Sequence, residues 1–528
     1  MGKRKSGVLL HITSLPGTPG IGTLGKEAYR FADWLHKANQ TLWQVLPLGP
    51  TGYGDSPYAS FSTFAGNPLL VDLDSLVEKG WATADMVAPP DYIKNEGKVD
   101  FGSVVWWKMP VLYKCAAYFL EHCSVEDGAA YEAFKDANAS WLDNFASYTS
   151  IKKFYDAEAA KQGVSGNAGM WNQFWPKELA SHKPGAVSKW NAAHSDDVEQ
   201  IKVIQFFFSV QWQELKAYVN GLGIKIIGDI PIFVAADSAD VWANQKYFQY
   251  DAETLQQKTC AGVPPDYFSA TGQLWGNPLY DWEAMKRNHY AWWVERIRHI
   301  LTLVDIVRID HFRGFESYWQ IPYGAPNAIK GEWIAGPGKA LFDTIRRKLG
   351  DLPIIAEDLG VITPEVEALR DGCGLPGMKI LQFAFNDNEW TEESAASKDL
   401  PHNYCTSRSV VYTGTHDNDT TTGYFASCSE QYRQNVRTYF HLPDGADARA
   451  LTDAMVRAAF ASVAETCVIP LQDIYFLGTE ARMNMPSTTG TNWAWRMSAD
   501  LLDDAGAERL KQLSFTYGRN QSEKKQEE

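Results

Sequence analysis

The sequence predicts an α/β fold: a closed (β/α)8 TIM barrel with a large, mostly helical insertion after its second strand. Three observations carry that prediction. Eight short apolar runs rich in β-branched residues recur along the 528-residue chain, and each reads as a buried strand. Helical patterns separate many of them, and strand–helix alternation implies parallel strands, eight of which close into a barrel. Three of the runs stop at a carboxylate, Asp310, Glu357 and Asp417. A carboxylate just past a buried strand lies at its carboxyl end, the catalytic face of such a barrel.

The first run, GVLLHITS (7–14), follows a basic start but is broken by His11 and lacks a small-residue cleavage site. It reads as a strand and turn, not a signal peptide. EAYRFADWLHKAN (27–39) is a helix leading to the second strand, LWQVLPLG (42–49). The third, IKIIGDIPIFV (224–234), follows a helix over 199–223 that Gly221 and Gly223 bring to a stop. The remaining five are DIVRIDHF (305–312), PIIAEDLG (353–360), MKILQFAF (378–385), SVVYTGTHD (409–417) and DIYFLG (473–478).

The stretch between the second and third strands is too long for a structureless loop. VVWWKMPVLYKCAAYFLEHC and the residues after it read as helix. Residues 75–195 are therefore expected to form a helical subdomain inserted in a single catalytic barrel spanning 1–519. Trp106, Trp107, Trp171 and Trp175 in that stretch read as core. Residues 254–282, dense in Gly, Pro and aromatics, read as a loop. The charged tail 520–528 reads as disordered.

Aromatics make up 13% of the chain, which fits either barrel packing or the stacking of sugar rings. The net charge of −15 argues against nucleic acid and anionic membrane as partners, because phosphate binding needs a basic face. Seven widely spaced cysteines without a CxxC read as reduced thiols in a reducing compartment. No run approaches the ~18 apolar residues of a membrane span.

Side chains alternate along a strand, so Arg308 and Asp310 in VRIDHF point together into the barrel mouth. An arginine beside an aspartate keeps it ionised, as a glycosyl nucleophile must be. A purely structural Arg–Asp pair competes with that reading. Glu357 in IIAEDLG sits where desolvation favours the acid form that a general acid requires. Asp358 points elsewhere by alternation, and Thr363 is the better cap for the helix that follows. A pair of carboxylates is the minimal machinery for cleaving a glycosidic bond. His416 and Asp417 in THDNDT can hydrogen-bond adjacent sugar hydroxyls. DNDTTTG is not a calcium loop, since its Gly is misplaced and Cys428 stands where a Glu ligand belongs. No GxSxG, HExxH or Cys/His cluster occurs, which disfavours a serine hydrolase or a zinc site. Asp229 closes the third strand as the other acids close theirs, and Ser56 and Tyr58 follow the second strand.

GYGDSPYASFSTFAGNP, GDIPIFVAADSADVWA, GVPPDYFSATGQLWGNPLYDW, VRIDHFRGF, IIAEDLG, YTGTHDNDT and RMNMPSTTGTNWAWR occur in that order. Together they resemble the amylomaltases, the 4-α-glucanotransferases (disproportionating enzymes) of glycoside hydrolase family 77. The resemblance runs from about Gly7 to about Leu501 and is specific, because the motifs are long and ordered. It implies a (β/α)8 barrel without a separate C-terminal β-domain, acting on α-1,4-glucans and maltooligosaccharides with no metal or organic cofactor. By the same resemblance, Asp310 is the nucleophile, Glu357 the general acid/base and Asp417 the transition-state carboxylate. Arg308, His416, Asp229, Ser56 and Tyr58 would contact the sugar at the cleavage point. Tyr267 and Phe268 would lie on an aromatic active-site loop over the acceptor side, with Gln273, Trp275 and Asn484 as further acceptor contacts. Ser487 departs from the pattern where many members have Gly, which puts a local turn in question. The expected activity is retaining glucan transfer in the cytoplasm. The alternatives are an amylase-type α-1,4-glucan hydrolase, which shares all three acids, and a silent glucan-binding protein, which has no reason to keep them.

Overall fold

In the computed structural model, residues 4–519 are described, apart from residues 18, 95–96, 266–268, 361, 386–396 and 489. The expected tail at 520–528 lies outside the described residues. The strands are β1 (Lys5–Leu9), β2 (Leu42–Gln44), β3 (Lys225–Pro231), β4 (Thr259–Val263), β5 (Gln273–Pro278), β6 (Ile306–Asp310), β7 (Ser317–Pro322), β8 (Glu332–Ala335), β9 (Ile354–Ala356), β10 (Gly377–Ile380), β11 (Ser409–Tyr412) and β12 (Thr466–Pro470). Eight form one parallel sheet in the order β10-β11-β12-β1-β2-β3-β6-β9. The Ala356 N–H donates to the Pro376 carbonyl at 2.9 Å, joining the two ends of that order into a (β/α)8 barrel. These strands are buried on both faces, as continuous apolar runs demand; Val8, Ile226, Val307, Val411 and Val468 have no exposure. Gly7 allows β1 to lie against β2, because a Cβ there would sit 2.3 Å from the Leu42 carbonyl oxygen.

Seven of the eight expected strands fall in the expected stretches. The eighth does not. DIYFLG begins as the short helix Leu471–Ile474, and TCVIP supplies β12 instead. Pro470 ends that strand, and the buried Asp473 then accepts hydrogen bonds from Thr413 and Thr421. The expected loop at 254–282 also needs correction. It contains β4 and β5, which pair antiparallel and continue through β7 and β8 as a second sheet of order β5-β4-β7-β8. This accessory sheet carries exposed Trp275 and Trp333.

Between β2 and β3 the chain is helical, with helices Phe101–His122, Val125–Asn138, Leu142–Lys161 and Pro184–Ala193 preceding the long helix Ser195–Gly221. That last helix ties this region to the barrel. Gln205 and Gln211 bond the backbone at Gly66 and Asp72, and Trp212 Nε1 donates to the Leu303 carbonyl at 2.8 Å. Trp107, Trp171 and Trp175 are core residues as expected, but Trp106 is 79% exposed. Adjacent positions on a helix point about 100° apart, so Trp107 faces inward and Trp106 faces water. The helix Asp504–Thr516 packs on Lys26–Lys37, where Trp34 Nε1 donates to the Asp503 carbonyl.

Candidate active site

Register builds the first half of the site. Asp229 on β3 pairs with Arg308 on β6, and alternation aims Arg308 and Asp310 the same way. The Arg308 guanidinium bridges Asp229 at 2.6 Å and Asp310 at 3.0 Å. Tyr58 donates its hydroxyl to Asp229 at 2.9 Å, and the Ser56 hydroxyl accepts the Tyr58 N–H. A chain of contacts thus runs from Tyr58 through two buried charges to Asp310. Burial pushes the Asp229 carboxyl up even with Arg308 beside it.

Glu357 follows β9 and is buried. His311, held in the left-handed region at φ +55°, donates its backbone N–H to one Glu357 oxygen at 2.6 Å. The Leu359 N–H reaches the other at 2.8 Å. Burial, then the charge of Asp310, outweighs those donors and raises the Glu357 carboxyl to about 8. Asp358 points the other way, accepting the Met378 N–H at 2.7 Å and pairing with Arg370.

Asp417 is fixed from three sides. Asn484 Nδ2 donates to its carboxylate at 2.6 Å, His416 Nε2 lies 3.4 Å away, and Arg482 donates to its backbone carbonyl at 2.8 Å. His416 stacks on Tyr58 with centroids 5.0 Å apart, and Trp493 leans against both rings.

These groups line a cleft with two arms of about 710 and 730 Å³, which share Asp310, His311, Trp275 and Asp417. The first arm holds Ser56, Tyr58, His416, Asn484 and Trp493, and reaches Asn167 and Met170 in the helical region. The second holds Arg308, Glu357, Gln382, Tyr424 and Trp333. Gln273 accepts from Trp275 Nε1 at 3.1 Å and lines both arms. Asp229 lies beneath, at the base of the network. Tyr267 and Phe268 lie outside the described residues. Ser487, on the rim of both arms, adopts φ +63°, so the turn that glycine would favour is made with serine.

Trp493 and Arg482 were not expected in the site, although both stand with Asn484 and Ser487 in RMNMPSTTGTNWAWR. Sequence reasoning also missed the backbone donors His311 and Leu359, which leave no side-chain signature. Asn167, Met170 and Trp333 reach the cleft only through long-range packing, for which no local pattern exists.

A (β/α)8 barrel with three carboxylates gathered over its strand ends and a long, open cleft defines a glycosidic-bond enzyme. The chain belongs to the 4-alpha-glucanotransferase family, glycoside hydrolase family 77, whose model matches residues 10–502. It is 45% identical over 521 residues to the 4-alpha-glucanotransferase of Streptococcus pneumoniae, covering 98% of each chain. It is 45% identical over 520 residues to that of Synechocystis, again covering 98% of each. The solved structure of amylomaltase from Streptococcus agalactiae in complex with acarbose aligns with a TM-score of 0.90 at 39% identity, over 98% of this chain and 100% of that one. The activity is therefore 4-α-glucan transfer, and an amylase-type hydrolase is not favoured.

Proposed function

We propose that the enzyme cuts an α-1,4-glucan at Asp310 and rejoins the held segment to the 4-hydroxyl of glucose or another α-1,4-glucan. The observation that carries this is the unlike pair on neighbouring strands: Asp310 against the Arg308 guanidinium, and Glu357 raised to about 8 beside it. At neutral pH Glu357 carries a proton and Asp310 has a fixed counter-charge. Asp310 attacks the anomeric carbon while Glu357 protonates the departing glycosidic oxygen. Once Asp310 is esterified its negative charge is gone, and one cause of the raised Glu357 carboxyl goes with it. Glu357 is then suited to take the proton of the incoming hydroxyl. Two inversions return an α-1,4 bond.

Asp417, oriented by Asn484 and Arg482, grips the sugar at the cleavage point with Ser56, Tyr58, Arg308 and His416, and stabilises the oxocarbenium-like transition state. Asp229, expected to touch that sugar, lines neither arm and serves it by holding Tyr58 and Arg308. Gln273 and Trp275 serve the acceptor side together with Tyr267 and Phe268, whereas Asn484, expected with them, lines the first arm and donates to Asp417. Asn167 and Met170 line the first arm, which supports a groove-shaping role for the 75–195 region within one catalytic unit. Among the described residues no helix is long and apolar enough to cross a membrane. None of the seven cysteines forms a disulfide, which supports a cytoplasmic setting, and the net charge of −15 disfavours nucleic acid as a partner.

Purified protein incubated with maltotriose is expected to give glucose together with a ladder of longer maltooligosaccharides. Glucose and maltose alone, with nothing longer than the substrate, would overturn the proposal.

A further inference from the structure

We propose that Trp333 forms a distal acceptor subsite, a fixed indole on which a glucosyl ring in the reducing-end stretch of a longer acceptor stacks. The inference rests on the transfer reading above and adds a determinant of acceptor length.

Trp333 is 40% exposed on β8, at an outer edge of the accessory sheet. Exposed indole surface in water is unfavourable, and a surface tryptophan held in place marks a binding position more readily than an exposed leucine does. Trp333 is held. The Arg313 guanidinium lies 3.8 Å from its ring centroid, and Trp319, its direct partner across the β7–β8 pair, meets it edge-on at 5.3 Å. The ring therefore loses little freedom when a ligand arrives.

Its position assigns the ligand. Asp310 lines both arms of the cleft, but Glu357 lines only the arm that contains Trp333. The group that protonates the leaving oxygen, and later receives the acceptor's proton, stands on the acceptor side of the cut bond. The Trp333 arm is thus the acceptor arm. At about 730 Å³ it lies within the range of sites that enclose whole drug-sized ligands. Trp275, in edge contact with His311 at 4.8 Å, already occupies the near end. Trp333 is three strands away across the accessory sheet, roughly 14 Å at the usual interstrand spacing. It is too far to serve the ring that reacts and suits a later one.

The test uses maltose and maltopentaose, each labelled at the reducing end, as acceptors from unlabelled starch, so that the extended labelled product reports acceptor use alone. The readout is the ratio of the maltopentaose KM to the maltose KM. Trp333→Ala is expected to raise that ratio at least about fivefold with kcat for both acceptors within about twofold, the pattern of lost binding without lost transition-state contact. Trp333→Phe, which keeps a stacking face, should restore most of the ratio. An unchanged ratio in a Trp333→Ala protein with an unaltered circular dichroism spectrum would overturn the proposal, as would a Trp333→Phe ratio no better than that of Ala. Failure of wild-type protein to extend either acceptor would instead sink the transfer reading.

Discussion

Asp310 and Glu357 are two carboxyl groups made unlike by their neighbours, and their chemistry follows from that difference. The Glu357 carboxyl is raised to about 8 by burial and by the Asp310 charge. Only the protonated form can act as the acid in the first step. On the alkaline side, activity should therefore be lost as pH rises through this value. In a pH series, kcat/KM is expected to fall on the alkaline side with a midpoint near 8, approaching about tenfold per pH unit. A flat profile to pH 10 would contradict the assignment. Asp310→Asn and Glu357→Gln should each lose at least about 10³-fold in turnover, the scale of losing a catalytic group. In Asp310→Asn the titration of Glu357, followed by carboxyl-carbon NMR, should move down, because the charge that raises it has gone. At this scale the sequence was readable wherever strand alternation governs. It aimed Arg308 with Asp310 and turned Asp358 away from Glu357. It was silent on the two backbone donors to Glu357, because any residue carries an N–H.

The elements were legible where burial on both faces makes a strand apolar and β-branched apart from its site residues, as in β3, β6 and β9. β12 was not: TCVIP offers five residues with a terminal proline, whereas DIYFLG has more aromatic character and turns helical after Pro470. β4 and β5 were hidden because glycine and proline dilute them and their stabilising partner, β7, comes from a different part of the chain. The loop after β3 shows how such distant contacts reach the site. Asp237 lines the first arm of the cleft and is held by two residues of helix Leu142–Lys161, the Tyr148 hydroxyl at 2.6 Å and Lys152 at 2.6 Å. Trp171 Nε1 adds a bond to the Ala236 carbonyl at 2.9 Å. The helical region thus sets the position of one wall. Tyr148→Phe removes a partly buried hydrogen bond to a charged acceptor and should cost about 1.5 kcal/mol of unfolding free energy, the low end for such bonds. It should also raise the KM for maltotriose while leaving the alkaline midpoint of kcat/KM in place. Unchanged stability and unchanged KM would show that the loop needs no such anchor.

At the scale of the molecule, one buried group couples the union of barrel and helical region to pH. Lys108 on helix Phe101–His122 is wholly buried and donates to the Leu69 carbonyl at 2.7 Å. Burial lowers its ammonium from 10.5 to about 7, with partial relief from the Asp72 charge. The unfolded chain keeps that proton up to its ordinary value near 10.5, whereas the folded chain releases it near 7. Between those limits the unfolded state binds more protons, so this group's contribution makes stability rise with pH across the interval. Below about 7 both states are charged and the full cost of burying the ammonium remains. Other groups titrate in the same range, so the measurement must be a difference. Lys108→Met keeps the length of the side chain, carries no charge and loses the Leu69 bond at every pH. Relative to wild type, its thermal midpoint should be most favourable at pH 7 and fall steadily towards pH 10, where the wild-type ammonium has lost its penalty. Parallel midpoint curves for the two proteins across that range would mean that Lys108 is not titrating on folding, and that the helical region is joined to the barrel without regard to its charge.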